Sequence, residues 1–158
     1  MAMAAAVFAV LGASELRAGA PEPGTVFWHP DEAHCRFNRT ETPEPDRGDP
    51  ATWRFLFVSE LVSDDLASAE RGYLRLDGLL RELEFTSRRE TDMGERRTYR
   101  TFGEEPVTID LDLVAGKGEK SRLGQTILVH YTGTMTVSRG GSQRLVPLHG
   151  SCGVEPET

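Results

Sequence analysis

The chain has 158 residues, 38% hydrophobic and 27% charged, enough apolar material for one core and one domain. Its 25 acidic and 18 basic residues leave a net charge of −7, mixed in sign along the chain with no basic block. That balance disfavours nucleic-acid binding, which needs a positive face to displace counterions, and otherwise serves solubility without requiring a particular partner.

Residues 1–20 read as an export signal. Ala2 to Ala13 is a short apolar run containing Val7, Phe8, Val10 and Leu11, and Ala18-Gly19-Ala20 supplies the small-x-small pattern of a cleavage site. The run is too short to span a bilayer, which takes about 20 apolar residues. No Lys or Arg precedes it; the alternative reading is an N-terminal tail. On the export reading the mature chain begins near Pro21, is periplasmic or secreted, and carries no transmembrane segment. The two cysteines, Cys35 and Cys152, lie near opposite ends of that mature chain. In an oxidising compartment an even pair so placed predicts a disulfide that fastens the N-terminal segment to the last strand. A competing reading takes His34, Cys35, His149 and Cys152 as zinc ligands, with His29, Asp31 and Glu32 nearby. Only His149-x-x-Cys152 has ligand-pair spacing, however.

From Pro21 to Pro50 the chain is irregular, because six prolines break helices and demote central strands. Val26-Phe27-Trp28 and Cys35-Arg36-Phe37 are short edge strands at most, and Glu41–Pro50 is an extended polar loop. Asn38-Arg39-Thr40 matches a glycosylation acceptor, a pattern frequent by chance. The domain organisation is therefore 1–20 signal, 21–50 irregular segment and 51–158 β-domain.

Regular structure starts with the aromatic stretch Trp53 to Val58, read as a strand, with a short helix leading into Glu60-Leu61-Val62 as the alternative. Ser63-Asp64-Asp65 reads as a turn or cap, and Asp65 to Arg71 as one helical turn. Tyr73–Leu76 and Leu80–Phe85 form a hairpin around Asp77-Gly78, a strong two-residue turn signal. Arg88 to Arg97 reads as a charged loop with Met93-Gly94 at its tip, followed by a strand from Arg97 to Phe102 and a turn at Glu104-Glu105-Pro106. Val107, Ile109, Leu111 and Leu113 alternate with Thr108, Asp110 and Asp112, the signature of a half-buried strand. Gly116–Lys120 reads as a flexible loop. The last hairpin places Ile127, Val129, Tyr131, Met135 and Val137 on one face, turns at Gly140-Gly141, and returns from Gln143 to His149. Seven to eight strands without alternating helices predict an all-β fold, an antiparallel sandwich or small barrel with at most a short helix.

Little chemistry stands out. Asp110 and Asp112 share one strand face, where solvated carboxylates are the default, and His29, His34, His130 and His149 form no triad pattern with a nucleophile. No phosphate-binding glycine loop, nucleophile elbow or dinucleotide fingerprint occurs. No catalytic, metal or cofactor-binding residues are assigned. The candidate binding surface is Arg88, Arg89, Arg96 and Arg97, with Trp53, Phe55 and Tyr73 as aromatic alternatives whose ordinary role is core.

The segment Tyr73 to Gly153 resembles small exported bacterial β-domains of unassigned function. The likeness rests on Tyr73-Leu-Arg-Leu-Asp-Gly78, Gly133-Thr-Met-Thr-Val-Ser-Arg-Gly-Gly141 and Gly150-Ser-Cys-Gly153. Leu74-x-x-Asp77-Gly78-x-x-x-x-Leu83 is also similar to a hairpin of the periplasmic inhibitors of C-type lysozyme, small disulfide-tied β-barrels. Their inhibitory residues have no match here, and none is carried over. The expected function is a non-enzymatic exported binding or envelope-associated domain, whose partner is a protein or an envelope component. The alternatives are an inhibitor of a lysozyme-like hydrolase and a small metal-assisted hydrolase.

Overall fold

A computed structural model describes residues 19–64 and 67–154 of the chain. The apolar run Ala2–Ala13, Ala18, and the Asp65 end of the expected turn lie outside the described residues. The strands are β1 (Pro23–Gly24), β2 (Val26–Phe27), β3 (Cys35–Arg39), β4 (Arg54–Phe55), β5 (Phe57–Asp64), β6 (Ala67–Leu76), β7 (Leu79–Thr91), β8 (Gly94–Thr101), β9 (Thr108–Lys120), β10 (Thr126–Arg139) and β11 (Ser142–Gly153). A single 3-10 turn spans Pro50–Thr52, and no α-helix occurs among the described residues. No helix there is long and apolar enough to cross a membrane.

The eight strands β3 and β5–β11 pair antiparallel in chain order, and β11 pairs back to β3. The result is a closed up-and-down barrel, an architecture that removes sheet edges by closure. β1 adds a ninth strand against β6. β2 and β4 form a separate two-stranded sheet that covers part of the outside, where Val26, Phe55 and Val58 make a second small core with Trp28, Ala33 and Trp53 packed around it.

The alternation read from the sequence fills the barrel. Val107, Ile109, Leu111 and Leu113 are all buried, beside Phe37, Phe57, Leu74, Leu83, Tyr99, Met135, Val137 and Leu148. Both predicted turns form: Asp77 and Gly78 have φ of 50° and 81°, the left-handed pair that a tight hairpin requires, and Gly140-Gly141 links β10 to β11. The seam between β3 and β11 is short, pairing Cys35–Arg39 with Cys152–Leu148, and the Cys35–Cys152 disulfide lies on it, joining residues 117 apart in sequence. Gly150 faces Phe37 across this seam. A Cβ there would stand 2.0 Å from the Arg36 carbonyl oxygen, so the strands close only over a glycine.

Several expectations give way. Cys35–Phe37 is not an edge strand, because β3 sits between β5 and β11 in the wall. The helical turn ending at Arg71 is part of β6. Ala69, Glu70 and Arg71 favour helix in isolation, but pairing with β5, Leu61 against Glu70, overrides that preference. The loop Arg88–Arg97 is instead the far half of the β7–β8 hairpin, paired from Arg88↔Arg97 to Thr91↔Gly94. Gly116–Lys120 belongs to β9. Ile127 is exposed rather than inward, lying at the first of two register shifts that interrupt the β9–β10 ladder.

Candidate functional site

The β7–β8 hairpin presents arginines on both faces, and the alternation of β8 decides which goes where. Tyr99 pairs with Ile109 and Arg97 with Leu111; since those partners point into the barrel, Tyr99, Arg97 and Glu95 do too. The guanidinium of Arg97 donates through Nη1 to both carboxylate oxygens of Glu70, at 3.0 and 2.8 Å, and through Nε to Glu95. The Tyr99 hydroxyl donates to Glu70 at 2.6 Å, and Arg88 Nε donates to the other oxygen of Glu95 at 2.7 Å. The side chains of Arg97, Glu70 and Glu95 are 4%, 6% and 3% exposed. Two carboxylates thus meet two guanidiniums in a closed, charge-balanced group, the condition under which buried ions are tolerated.

This group lies behind a lateral gap in the wall. β6 and β7 pair only from Arg71↔Glu84 to Leu76↔Leu79; beyond Arg71 and Glu84 the two strands diverge. The opening is a cavity of about 420 Å³ lined by Leu61, Ala69, Glu70, Arg71, Glu84, Phe85, Arg88, Arg97 and Phe102. Phe102 lies 5.9 Å beneath the Arg71 guanidinium.

The buried charges set the acid–base behaviour of the interior. Burial would lower the pKa of Arg97, but the carboxylate of Glu70, with Tyr99 and Glu95, outweighs it and holds the guanidinium charged well above its ordinary value. Burial, then Glu70, pushes the Tyr99 phenol well up. Tyr131 is raised by burial and by Glu95. On the outside, burial and the hydrogen bond to Glu60 push Tyr73 up to about 12. All three tyrosines of the chain therefore hold their protons more tightly folded than unfolded. The stability they lend is fully present below the unfolded phenol value of about 10 and is lost as pH rises beyond it. In an absorbance titration at 295 nm, the native protein should carry less tyrosinate at pH 10 than the denatured chain, with Tyr73 and Tyr99 still protonated. In denaturant the three phenols should titrate near pH 10. A native titration curve that coincides with the denatured one would contradict this arrangement.

The outer face of the hairpin differs. Ser87 faces Thr98, and Arg89 faces Arg96; the row continues onto β9 as Asp110 and Asp112. Arg96 stands 3.4 Å from Asp110 and 3.5 Å from Asp112, loose ion pairs beyond good hydrogen-bond length. The Thr98 hydroxyl donates to Asp110 at 2.7 Å. A groove of about 540 Å³ runs between Ser87, Arg88, Arg89, Arg96, Thr98 and Asp110. Of the four arginines named from sequence, Arg88, Arg89 and Arg96 line this groove and Arg97 lies inside the wall.

The other candidate residues are engaged in structure. The cysteine sulfurs of the zinc reading are joined in the disulfide, so neither remains as a thiolate ligand. His34, Cys35 and Glu70 do bring ligand-type atoms within 4.8 Å of one another, but the sulfur there is the disulfide's. His149 fastens the Pro-rich loop: its Nε2 donates to the Thr42 carbonyl at 2.7 Å and its Nδ1 lies 3.0 Å from Glu44. His130 stands 2.8 Å from Glu119 on the outer surface and holds that carboxyl below its usual range. Neither histidine lines the gap or the outer groove. Asn38 is buried and accepts from the Leu56 amide, so its side chain is closed to glycosylation. Phe55 is core. Trp53 donates its indole N–H to Asp46, and Tyr73 stacks on Trp28 while its hydroxyl donates to Glu60. Glu70 and Glu95 are the residues that sequence reasoning missed. The period-two run Glu95-x-Arg97-x-Tyr99 carried the signal for Glu95, but Glu70 comes from a strand whose charged stretch gave none. In comparisons with known proteins, no family model, curated protein or solved structure matches the chain.

Proposed function

We propose that this chain is an exported, non-enzymatic binding domain that meets an envelope component or a protein through the outer arginine face of its β7–β8 hairpin. The observation that carries the reading is the contrast between the hairpin's two faces. Arg88 and Arg97 are matched by carboxylates in hydrogen-bonding contact, whereas on the outer face Arg96 has only long ion pairs to Asp110 and Asp112 and Arg89 has none among the described residues, both bordering an open groove. Exposed charges held on a rigid two-stranded ribbon suit recognition, since the scaffold fixes their spacing. The disulfide supports export, being a bond that persists in oxidising compartments. The imidazole–carboxylate pairs lie outside both cavities, which supports binding over hydrolysis. For the test, oxidised protein is sedimented with isolated bacterial envelopes. The double variant Arg89→Glu/Arg96→Glu, with an unchanged melting temperature, should lose association; retention equal to the parent chain would place the surface elsewhere.

Inhibition of a lysozyme-like hydrolase is the second reading, favoured by the closed, disulfide-tied barrel. It predicts dose-dependent loss of C-type lysozyme activity on cell-wall substrate; full activity at a large molar excess of this protein would remove it.

A further inference from the structure

We propose that the outer groove of the β7–β8 hairpin is a site for a tetrahedral oxyanion, a phosphate or sulfate group, held between Arg89 and Arg96 with the Ser87 hydroxyl as third donor. The inference rests on the reading of the hairpin as the binding surface and names the ligand chemistry. Like charges directly opposite on neighbouring strands repel, and this hairpin stacks two arginine pairs, Arg88↔Arg97 and Arg89↔Arg96, ahead of the acidic pair Glu90↔Glu95. The first is neutralised from inside by Glu70 and Glu95. The second is compensated only in part: Arg96 is paired at long range with Asp110 and Asp112 of β9, on the side away from β7, whereas no ion pair to Arg89 exists among the described residues. An anion seated between the two guanidiniums removes the repulsion and gains charge-assisted hydrogen bonds from both.

The donor geometry selects the ligand. Arg89 and Ser87 reach in from one strand and Arg96 from the other, so at least three donors approach from different directions. A phosphate or sulfate group disposes its oxygens tetrahedrally toward such a set, whereas a carboxylate offers two in one plane. Thr98 does not compete, because its hydroxyl is committed to Asp110. Asp110 itself closes the β9 side and repels the anion, leaving the approach open over β7.

Isothermal titration of the oxidised protein with inorganic phosphate at low ionic strength tests the site. One phosphate should bind, and Arg89→Gln should weaken binding about tenfold or more, as loss of a charged hydrogen-bond donor implies. Arg81→Gln, at an exposed arginine away from the groove, should leave it unchanged. Vesicles of phosphatidylglycerol and of phosphatidylcholine separate the sources. Arg89-dependent binding to phosphate and to phosphatidylglycerol vesicles assigns a lipid headgroup; Arg89-dependent binding to phosphate alone assigns a free or soluble phosphate. Absence of phosphate binding, or binding equal in Arg89→Gln and the parent chain, overturns the oxyanion site. Vesicle association without phosphate binding does so as well. The envelope sedimentation test stands apart from these outcomes: a hairpin that still recognises envelopes without binding phosphate refutes only the ligand assignment.

Discussion

Replacing Arg97 with methionine should lower the stability by about 3–5 kcal/mol, the usual consequence of stripping one partner from a buried ion group. The substitution leaves Glu70 without its guanidinium and Glu95 with only Arg88, both carboxylates almost wholly shielded from water. Neither can stay ionised there cheaply, and protonating them transfers the cost to folding. For a domain of this size the loss corresponds to a fall in melting temperature of roughly 10 °C or more. Substituting the three buried members, Glu70→Leu, Glu95→Leu and Arg97→Met, should recover most of the loss, because apolar replacement of a buried ion group is often close to neutral and the remaining member, Arg88, is half exposed to water. Urea denaturation with an unchanged m-value is the measurement. A single Arg97→Met variant within about 1 kcal/mol of the parent chain would contradict the closed charge network and point to water reaching these carboxylates through the gap between β6 and β7.

Removing the disulfide by Cys35→Ala/Cys152→Ala should destabilise the oxidised protein by about 2–5 kcal/mol. The chain-entropy model assigns a closed loop of this length about 4–5 kcal/mol, with residual structure in the unfolded state reducing it. The location of the bond predicts a local consequence too. It staples the one barrel pairing between strands distant in sequence; the other seven wall pairings join strands that follow one another in the meander. Without it the β3–β11 seam should open first. Amides of 36–38 and 149–151 should then lose hydrogen-exchange protection ahead of the β9–β10 ladder. Uniform loss of protection around the barrel would show that the seam holds without sulfur.

Much of the barrel was legible in the sequence because half-buried strands alternate. Val107 to Leu113, Asp77-Gly78 and Gly140-Gly141 sit as their pattern implies, and the cysteine pair is joined. Two of the failures, the loops expected at Arg88–Arg97 and Gly116–Lys120, share one cause. Where strands run past the apolar core, their pattern carries no hydrophobic period, so both stretches resemble loops although their backbones stay in ladders. A register shift between Phe85 and Ser87 further hides the phase of β7. Of the site, the arginine cluster was visible as composition. Its division into a satisfied inner pair and an exposed outer pair was not, because it depends on Glu70, a residue brought across from another strand by closure of the barrel.

The most direct test is to follow the arginine Nε–H signals of the oxidised protein by nuclear magnetic resonance during phosphate titration. Saturable shifts at Arg89 and Arg96, with Arg97 unmoved, are the predicted result. Shifts at Arg97 with Arg89 and Arg96 unaffected would put the ligand in the gap between β6 and β7 and contradict binding on the outer face.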